Sequence, residues 1–351
     1  MKTKVLIAMS GGVDSSVAAY LMQKKGFDCI GATMRLHDKF PQDEEKNLSD
    51  INDAKSVCYS LGIDFRVLDY REKFKKEVIE RFISIYEKGG TPNPCIECNR
   101  YMKFGVFLEA ALNLDCEKIA TGHYARIIEE NGRFYLKKAK DERKDQSYFL
   151  YSLTQEQLKR VEFPLGDMTK DEIRSLAAER GFVSAHKSDS QDICFVPDGE
   201  YVSVIKNYTH KEYPTGDFTD VFGNKIGTHL GIINYTVGQR KGLGTAFGEK
   251  MYVKEKNPLE NIVVLGKNED LFSNSLDAED FNWIVFDNPP EKFTAKAKVR
   301  YSAKEDICTV FVSSDKSKVR IEFDNPQRAI AKGQAVVLYD GDTVIGGGTI
   351  V

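Results

Sequence analysis

Lys4-Val5-Leu6-Ile7-Ala8-Met9, followed at once by Ser10-Gly11-Gly12-Val13-Asp14-Ser15-Ser16, decides how the first third of the chain is read. The unbroken apolar run Val5–Met9 fits a strand buried on both faces, as in a parallel sheet. An amphipathic helix is expected from about Asp14 to Lys25, stopped by Gly26, with Lys24 and Lys25 suited to the negative end of its dipole. The turn between strand and helix is where an open α/β sheet binds ligands. Its two glycines let the backbone approach an anion, and the hydroxyls of Ser10, Ser15 and Ser16 join the helix N–H groups as donors. Asp14 is the only anion in the loop, which makes it a candidate for a magnesium ion. No GxxxxGK[ST] sequence occurs, so this is not a P-loop built around a γ-phosphate. A lone Gly-Gly would read as an ordinary turn; the full SGG-x-DS pattern after an apolar strand reads as nucleotide binding.

Working outward, Phe27–Met34 and Phe65–Tyr70 read as further strands, and about Ser49–Leu61 and Glu72–Lys88 as helices. This alternation predicts a parallel sheet covered by helices on both faces. Gly89–Pro94 breaks the rhythm before a helix over about Asn99–Asn113 and a short strand, Lys118–Thr121. Ala125–Ile128 and Arg133–Lys138 flank Glu-Asn-Gly and predict a hairpin. Thr154–Gly181 reads as helical, with a capping box from Thr169 to Glu172. From about Tyr201 glycine becomes frequent and long helices cease. Short strands then recur at Lys296–Tyr301, Cys308–Val312, Val319–Phe323, Ala335–Tyr339 and Val344–Val351, which predicts a small β-barrel. The expected division is 1–200, an α/β nucleotide-binding domain; 201–275, a small β-rich central domain; and 276–351, the C-terminal barrel.

With 351 residues, 41% apolar and 29% charged, the chain has ample material for buried cores and is not a disordered polymer. A formal net charge of −3 excludes nucleic-acid binding through bulk positive charge but leaves room for local patches. The longest apolar runs are far short of a membrane span or a signal-peptide core, so a cytoplasmic protein without a membrane partner is expected. Seven cysteines at irregular spacing do not make a disulfide framework.

Two cysteine segments carry chemistry. In Thr91-Pro92-Asn93-Pro94-Cys95-Ile96-Glu97-Cys98-Asn99, prolines stiffen the approach, and Cys98 falls at the predicted start of a helix, where the dipole favours a thiolate. Cys194, in Ser190-Gln191-Asp192-Ile193-Cys194-Phe195, follows a polar loop. A structural zinc site is the competing reading, and no second pair is spaced to complete it. Cys29, Cys58 and Cys308 read as core residues, and Cys116 receives no role.

Taken together, SGGVDSS, TPNPCIECN, Thr121-Gly122-His123-Tyr124-Ala125-Arg126, Lys144-Asp145-Gln146-Ser147, Asp192-Ile193-Cys194-Phe195, the run Tyr235–Gly244 and Gly346-Gly347-Gly348 resemble the tRNA-specific 2-thiouridylase family of the ATP-pyrophosphatase superfamily. The resemblance covers essentially the whole chain in order. It implies a PP-loop ATPase domain, adenine-nucleotide α-hydrolase-like, ahead of the central domain and barrel. It also implies a reaction: ATP adenylates the C2 oxygen of the wobble uridine-34 of tRNA, and sulfur displaces AMP to leave 2-thiouridine, with Lys, Glu and Gln acceptors. By the family pattern Ala8, Met9, Ser10, Gly11, Gly12, Val13, Asp14, Ser15, Met34 and Gly122 contact ATP, with Mg2+ as companion. Cys98 matches the nucleophile and Cys194 the cysteine that carries a persulfide. Asn93, Pro94 and Cys95 match positions near the target base. His123, Lys144, Asp145, Gln146, Arg300, Tyr301 and Gln334 match positions that touch tRNA. The sulfur would come from a cysteine desulfurase, a relay protein or sulfide.

One departure stands out. The resemblance leads one to expect aspartate where this chain has Cys95, and a thiol, with an ordinary pKa of about 8.5, is a poor substitute for a carboxylate base. Cys95, Cys98 and Cys194 instead make a three-thiolate set of the kind that holds a [4Fe–4S] cluster in related tRNA thiolases. A persulfide relay and a cluster therefore both stand at this point. Lys137, Lys138, Lys140, Arg143 and Lys144 form one basic stretch, and Lys296, Lys298 and Arg300 alternate as on one strand face; each reads as a solvated surface or, given the resemblance, as a tRNA contact. Two other functions remain open: a PP-loop enzyme acting on another RNA base or a small carboxylate, and a non-catalytic RNA-binding or sulfur-carrier protein.

Overall fold

Val5, Leu6 and Ile7 are wholly buried because their strand, β1 (Lys4–Ala8), is the middle of a five-stranded sheet. The structure is a computed structural model, and it describes residues 2–38, 44–183, 193–196, 199–244 and 247–351. In chain order the first elements are α1 (Val13–Lys24), β2 (Asp28–Arg35), α2 (Glu44–Leu61) and β3 (Asp64–Asp69). Next come α3 (Arg71–Phe74), a π-helical stretch Lys75–Ile79, and α4 (Glu80–Glu87). A second helical run follows as α5 (Pro94–Glu97), a π-helical stretch Cys98–Val106, and α6 (Phe107–Asn113). Then come β4 (Lys118–Ala120), β5 (Ala125–Glu130), β6 (Arg133–Lys138), α7 (Gln155–Arg160), β7 (Val161–Glu162) and α8 (Lys170–Glu179).

The chain parts into two compact units that interleave along the sequence. The first holds 1–78, 95–195 and 341–345. Its sheet runs β3-β2-β1-β4-β7, all parallel, as the alternating pattern predicts. Valines, alanines and methionines of α1 and β1 form its core with Cys58, Tyr124, Leu165 and Ile173. The hairpin β5–β6 turns on Asn131 and Gly132, both at positive φ, as an Asn-Gly turn requires. Two expectations are corrected here. Thr154–Gly181 is not one helix: Phe163-Pro164-Leu165-Gly166 interrupts it, β7 joins the sheet edge, and helix resumes at the Thr169 capping box. The helix expected from Asn99 begins at Pro94, since proline is tolerated in a first turn whose N–H groups lack partners anyway.

The second unit holds 79–94, 196–340 and 346–351. It contains α9 (Tyr201–Thr209) and a four-stranded sheet of β8 (Gly216–Thr219), β9 (Lys225–His229), β10 (Tyr252–Asn257) and β11 (Ile262–Gly266), ordered β10-β11-β8-β9. The remaining strands are β12 (Phe272–Trp283), β13 (Lys292–Lys298), β14 (Asp306–Val312), β15 (Val319–Arg328), β16 (Ala335–Asp340) and β17 (Thr343–Ile350). They run β12-β15-β14-β13-β16-β17, and β12 pairs with β17 to close a six-stranded antiparallel barrel. The glycine run in β17 makes that closure possible: a Cβ on Gly346 would lie 2.3 Å from the Asn282 carbonyl oxygen. The strand expected at Lys296–Tyr301 is displaced, covering Lys292–Lys298, so Arg300 is not on the Lys296 strand face. No helix among the described residues is long and apolar enough to cross a membrane.

The buried thiols predict how stability responds to alkali. Burial pushes Cys58 and Cys308 up from 9.0 to about 12. Above pH 9 the unfolded thiols ionise while the folded ones stay protonated. Their contribution is thus full below pH 9 and is lost as pH rises toward 12. At pH 10.5 each thiol should cost about 2 kcal/mol of stability relative to pH 8. Urea unfolding at both pH values should show Cys58→Ala losing about 2 kcal/mol less than the wild type across the interval; equal losses would refute this assignment.

Candidate functional site

The order β3-β2-β1-β4-β7 places a topological switch between β1 and β4, and the loops leaving both strands carry the residues singled out above. Gly11 adopts φ +74°, and a Cβ there would lie 2.3 Å from the Asp50 carbonyl oxygen. Gly12 precedes α1 and supplies no side-chain cap to the first N–H groups of the helix. Hydroxyls brace the loop from within. Ser15 Oγ donates to the Gly12 carbonyl at 3.1 Å and accepts from the Ser10 N–H at 3.2 Å, and Ser16 Oγ donates to the same carbonyl at 2.8 Å. Met9 joins β1 to β2 through its N–H on the Ala32 carbonyl and its carbonyl on Thr33 Oγ1. Ala8 ends β1, Val13 is buried, and Met34 is half-buried near the end of β2. From the β4 side, Gly122 packs so closely that a Cβ would lie 3.0 Å from the Asp14 carbonyl carbon and the Ser15 nitrogen. The backbone thus forms an uncapped, glycine-lined concavity suited to an anion, with Ser10 exposed at its rim and Ser15 and Ser16 buried behind it.

Asp14 is not a loose carboxylate waiting for a metal. Lys170 Nζ lies 2.7 and 2.9 Å from its two oxygens, and Tyr124 donates its hydroxyl at 2.7 Å. The residues present do not fit the expected magnesium site at Asp14. Lys170 is only 6% exposed and enters from the first turn of α8. Neither Lys170 nor Tyr124 was among the residues the sequence singled out as functional, and a lysine inside a capping box carries no local signal of its partner.

Cys98 lies within the second helical run, at the head of the π-helical stretch, rather than at a helix start. It is 8% exposed, and burial pushes its thiol up to about 11, with the Lys103 ammonium pulling down and Cys95 pushing up. The dipole-lowered thiol expected at a helix N-terminus is thereby corrected: desolvation outweighs it. Cys95 reaches solvent, and the protein packed around it raises its thiol, again opposed by Lys103. Asn99 is buried; its Nδ2 donates to the Phe149 carbonyl at 3.0 Å while its Oδ1 has no partner. His123 is also buried, between Phe104 and Phe163 with ring centroids 5.7 and 5.8 Å away. Burial and Lys103 hold it well below the ordinary histidine range, so it is neutral. Lys103 Nζ donates to His123 Nε2 at 3.2 Å, which leaves Nδ1–H to donate to Thr121 Oγ1 at 2.7 Å.

Cys194 is exposed, and its neighbour Phe195 anchors the segment against Phe74, 5.7 Å between centroids. The loop before it, 184–192, lies outside the described residues. Cys95, Cys98 and Cys194 are all described, yet among the described residues no three cysteine, histidine or carboxylate side chains are grouped to hold a metal. The structure therefore does not assemble the ligand set a [4Fe–4S] cluster needs.

Several residues matched to tRNA contacts do internal work. Asp145 is buried and accepts from the Ala139 and Ser147 N–H groups and from the Ser147 hydroxyl. Gln146 Oε1 accepts from the Tyr124 N–H at 2.9 Å. In the second unit, Gln334 Nε2 donates to the carbonyls of Thr91 and Pro92, at 2.9 and 3.2 Å, and so shapes the irregular segment leading to half-buried Asn93 and buried Pro94. Arg300 donates to the Arg328 carbonyl. Tyr301 is 38% exposed with Lys298 over its ring, and Lys296 is exposed on the same barrel. The basic stretch is largely neutralised: Lys137 pairs with Asp342, Lys140 with Glu172 and Arg143 with Asp141, while Lys138 donates to the Gly341 carbonyl. Lys144 is half-buried.

A family model described as the tRNA methyl transferase HUP domain matches residues 3–198. The tRNA methyl transferase PRC-barrel domain matches 202–267 and the aminomethyltransferase beta-barrel domain 273–350. The tRNA-specific 2-thiouridylase MnmA of Clostridioides difficile (strain 630) is 48% identical over 360 residues, covering 100% of this chain and 98% of that protein. The tRNA-specific 2-thiouridylase MnmA of Clostridium acetobutylicum is 47% identical over 355 residues, covering 100% of both. A solved 4-thiouridine synthetase–RNA complex with bound ATP is 18% identical and covers 58% of this chain and 50% of that one, with a TM-score of 0.40, too slight a likeness to argue from.

Proposed function

The chain belongs to the tRNA-specific 2-thiouridylase family, and on that premise we propose that it replaces the C2 oxygen of the wobble uridine of tRNA with sulfur at the expense of ATP. The observation that carries this reading is the anion cradle at Ser10–Ser16 and Gly122, built in the same unit as the paired cysteines Cys95 and Cys98. The two features serve two half-reactions. A carbonyl oxygen is a poor leaving group, so O2 attacks the α-phosphorus of ATP and pyrophosphate leaves into the cradle. The α-phosphate then departs with O2 as AMP when a sulfur nucleophile attacks C2. Sulfur arrives as a persulfide on Cys194, whose exposure suits a donor protein. Attack of the Cys98 thiolate on the inner persulfide sulfur forms a Cys98–Cys194 disulfide and expels hydrosulfide, which attacks C2. An external thiol then reduces the disulfide.

Asn93, Pro94 and Cys95 would border the extruded base, as an enzyme that works on a base must take it out of the stack. Asn99 Oδ1, buried without a partner, suits a donor on the substrate. His123, Lys144, Asp145, Gln146, Arg300, Tyr301 and Gln334 would line or shape the tRNA contact. Tyr301 with Lys298 is the pair best placed to stack and to neutralise phosphate. The domain limits 1–200, 201–275 and 276–351 and a cytoplasmic location belong to the same reading.

The test is a reconstituted assay with magnesium-ATP, a tRNA transcript carrying uridine-34, and either sulfide or a cysteine desulfurase with cysteine. Nucleoside mass spectrometry should find 2-thiouridine at position 34, with one AMP formed per thiolated base and none with cytidine-34. A thiolated nucleoside at another position would transfer the activity to a different RNA base. RNA binding with no AMP would make the chain a binding or carrier protein.

A further inference from the structure

The Cys98–Val106 stretch is π-helical, with backbone bonds running from residue i to i+5. Cys98 and Lys103 are five apart in it, so the two side chains leave the same side of the helix. An α-helix would turn Lys103 roughly 140° away from Cys98. The π-helical winding therefore keeps a cation on the same side of the helix as a buried thiol, close enough for its charge to act on it. That cation is fixed from its other side. His123, neutral and buried, can only accept from an ammonium, and Thr121 Oγ1 pins the tautomer that leaves Nε2 free to do so. His123 follows Gly122, the residue packed on Asp14 and Ser15, so the support of the cation is built into the wall of the anion cradle. Among the described residues the charged and titratable groups acting on Cys98 are Lys103 and the Cys95 thiol; the Lys103 charge acts in turn on Cys95, Cys98 and His123, and its ammonium contacts the last.

We propose that Lys103, held by His123 and Thr121, is the positioning residue that makes Cys98 a usable nucleophile by stabilising its thiolate. This rests on the reading of Cys98 as the thiolation nucleophile, but the test does not use that activity. Burial raises the Cys98 thiol, and among the described residues Lys103 is the cation acting against it.

Cys98 alkylation by iodoacetamide in the reduced full chain, followed at pH 8 by mass spectrometry of its peptide, reads the thiolate fraction. Lys103→Met should slow alkylation about tenfold, the effect of one pKa unit, and Lys103→Arg should restore most of it. A purely structural role predicts the opposite sign, because a loosened helix exposes Cys98 and speeds the reaction. Unchanged or faster alkylation in Lys103→Met overturns the proposal. Lys103→Gln replaces it should the methionine variant fail to fold. Slowed alkylation in a chain that leaves tRNA unmodified would keep the charge pairing and defeat the functional reading. Unchanged alkylation in a chain that thiolates tRNA would do the reverse.

Discussion

Gly11→Ala is expected to cut tRNA-dependent AMP formation at least a hundredfold while leaving a folded protein. Two independent penalties meet at this position. The backbone sits at φ +74°, which costs an L-residue roughly 1–2 kcal/mol. The added methyl would also stand 2.3 Å from the Asp50 carbonyl oxygen, a backbone atom that cannot rotate away. The loop must therefore move, and it is the loop proposed to cradle the phosphates. A displacement near 1 Å at a positioning element can cost about 10²-fold in rate. The neighbouring Gly12 has φ −96°, and a Cβ there would meet only Ser10 Oγ at 3.4 Å, so Gly12→Ala should be much milder. Steady-state AMP release for the two variants checks the contrast, and equal activities would mean that the loop does not hold the nucleotide.

Cys98→Ser is expected to lower 2-thiouridine formation by on the order of 10³-fold, while ATP-dependent adenylation persists. Cys95→Ser should stay within a few fold of the wild type. The asymmetry follows from the environments: Cys98 is buried and feels the Lys103 charge, whereas Cys95 reaches solvent, and among the described residues no ligand set of three is gathered. Product analysis, with iron and acid-labile sulfide measured after anaerobic purification, separates the possibilities. Iron near one cluster per chain, lost together with activity in Cys95→Ser, would restore the cluster and remove Cys98 as a free nucleophile. Iron-free material that still thiolates tRNA would leave the relay.

Much of the architecture was legible because it is local. An apolar run, a Gly-Gly turn and a helix stopped by glycine are patterns of adjacent residues, and the parallel order of β1, β2 and β3 follows from their alternation with helices. The Thr169 capping box was legible for the same reason. The break after α7 was not, because β7 is two residues long and exists only through its pairing with β4. The π-helical winding was not, since nothing in Cys98–Val106 distinguishes an i+5 from an i+4 bond before packing chooses between them.

By itself, then, the sequence determined that a glycine-rich loop opens a parallel α/β sheet, that cysteines follow it, and that the late short strands make a barrel. Only the tertiary structure decided what state those groups are in. It paired Asp14 with Lys170 across 156 positions, buried Cys98 within the influence of the Lys103 charge, and held Lys103 on His123. The physical reason is that hydrogen-bonding propensities are written in neighbouring residues, whereas desolvation and charge pairing depend on what the fold brings into contact from far along the chain.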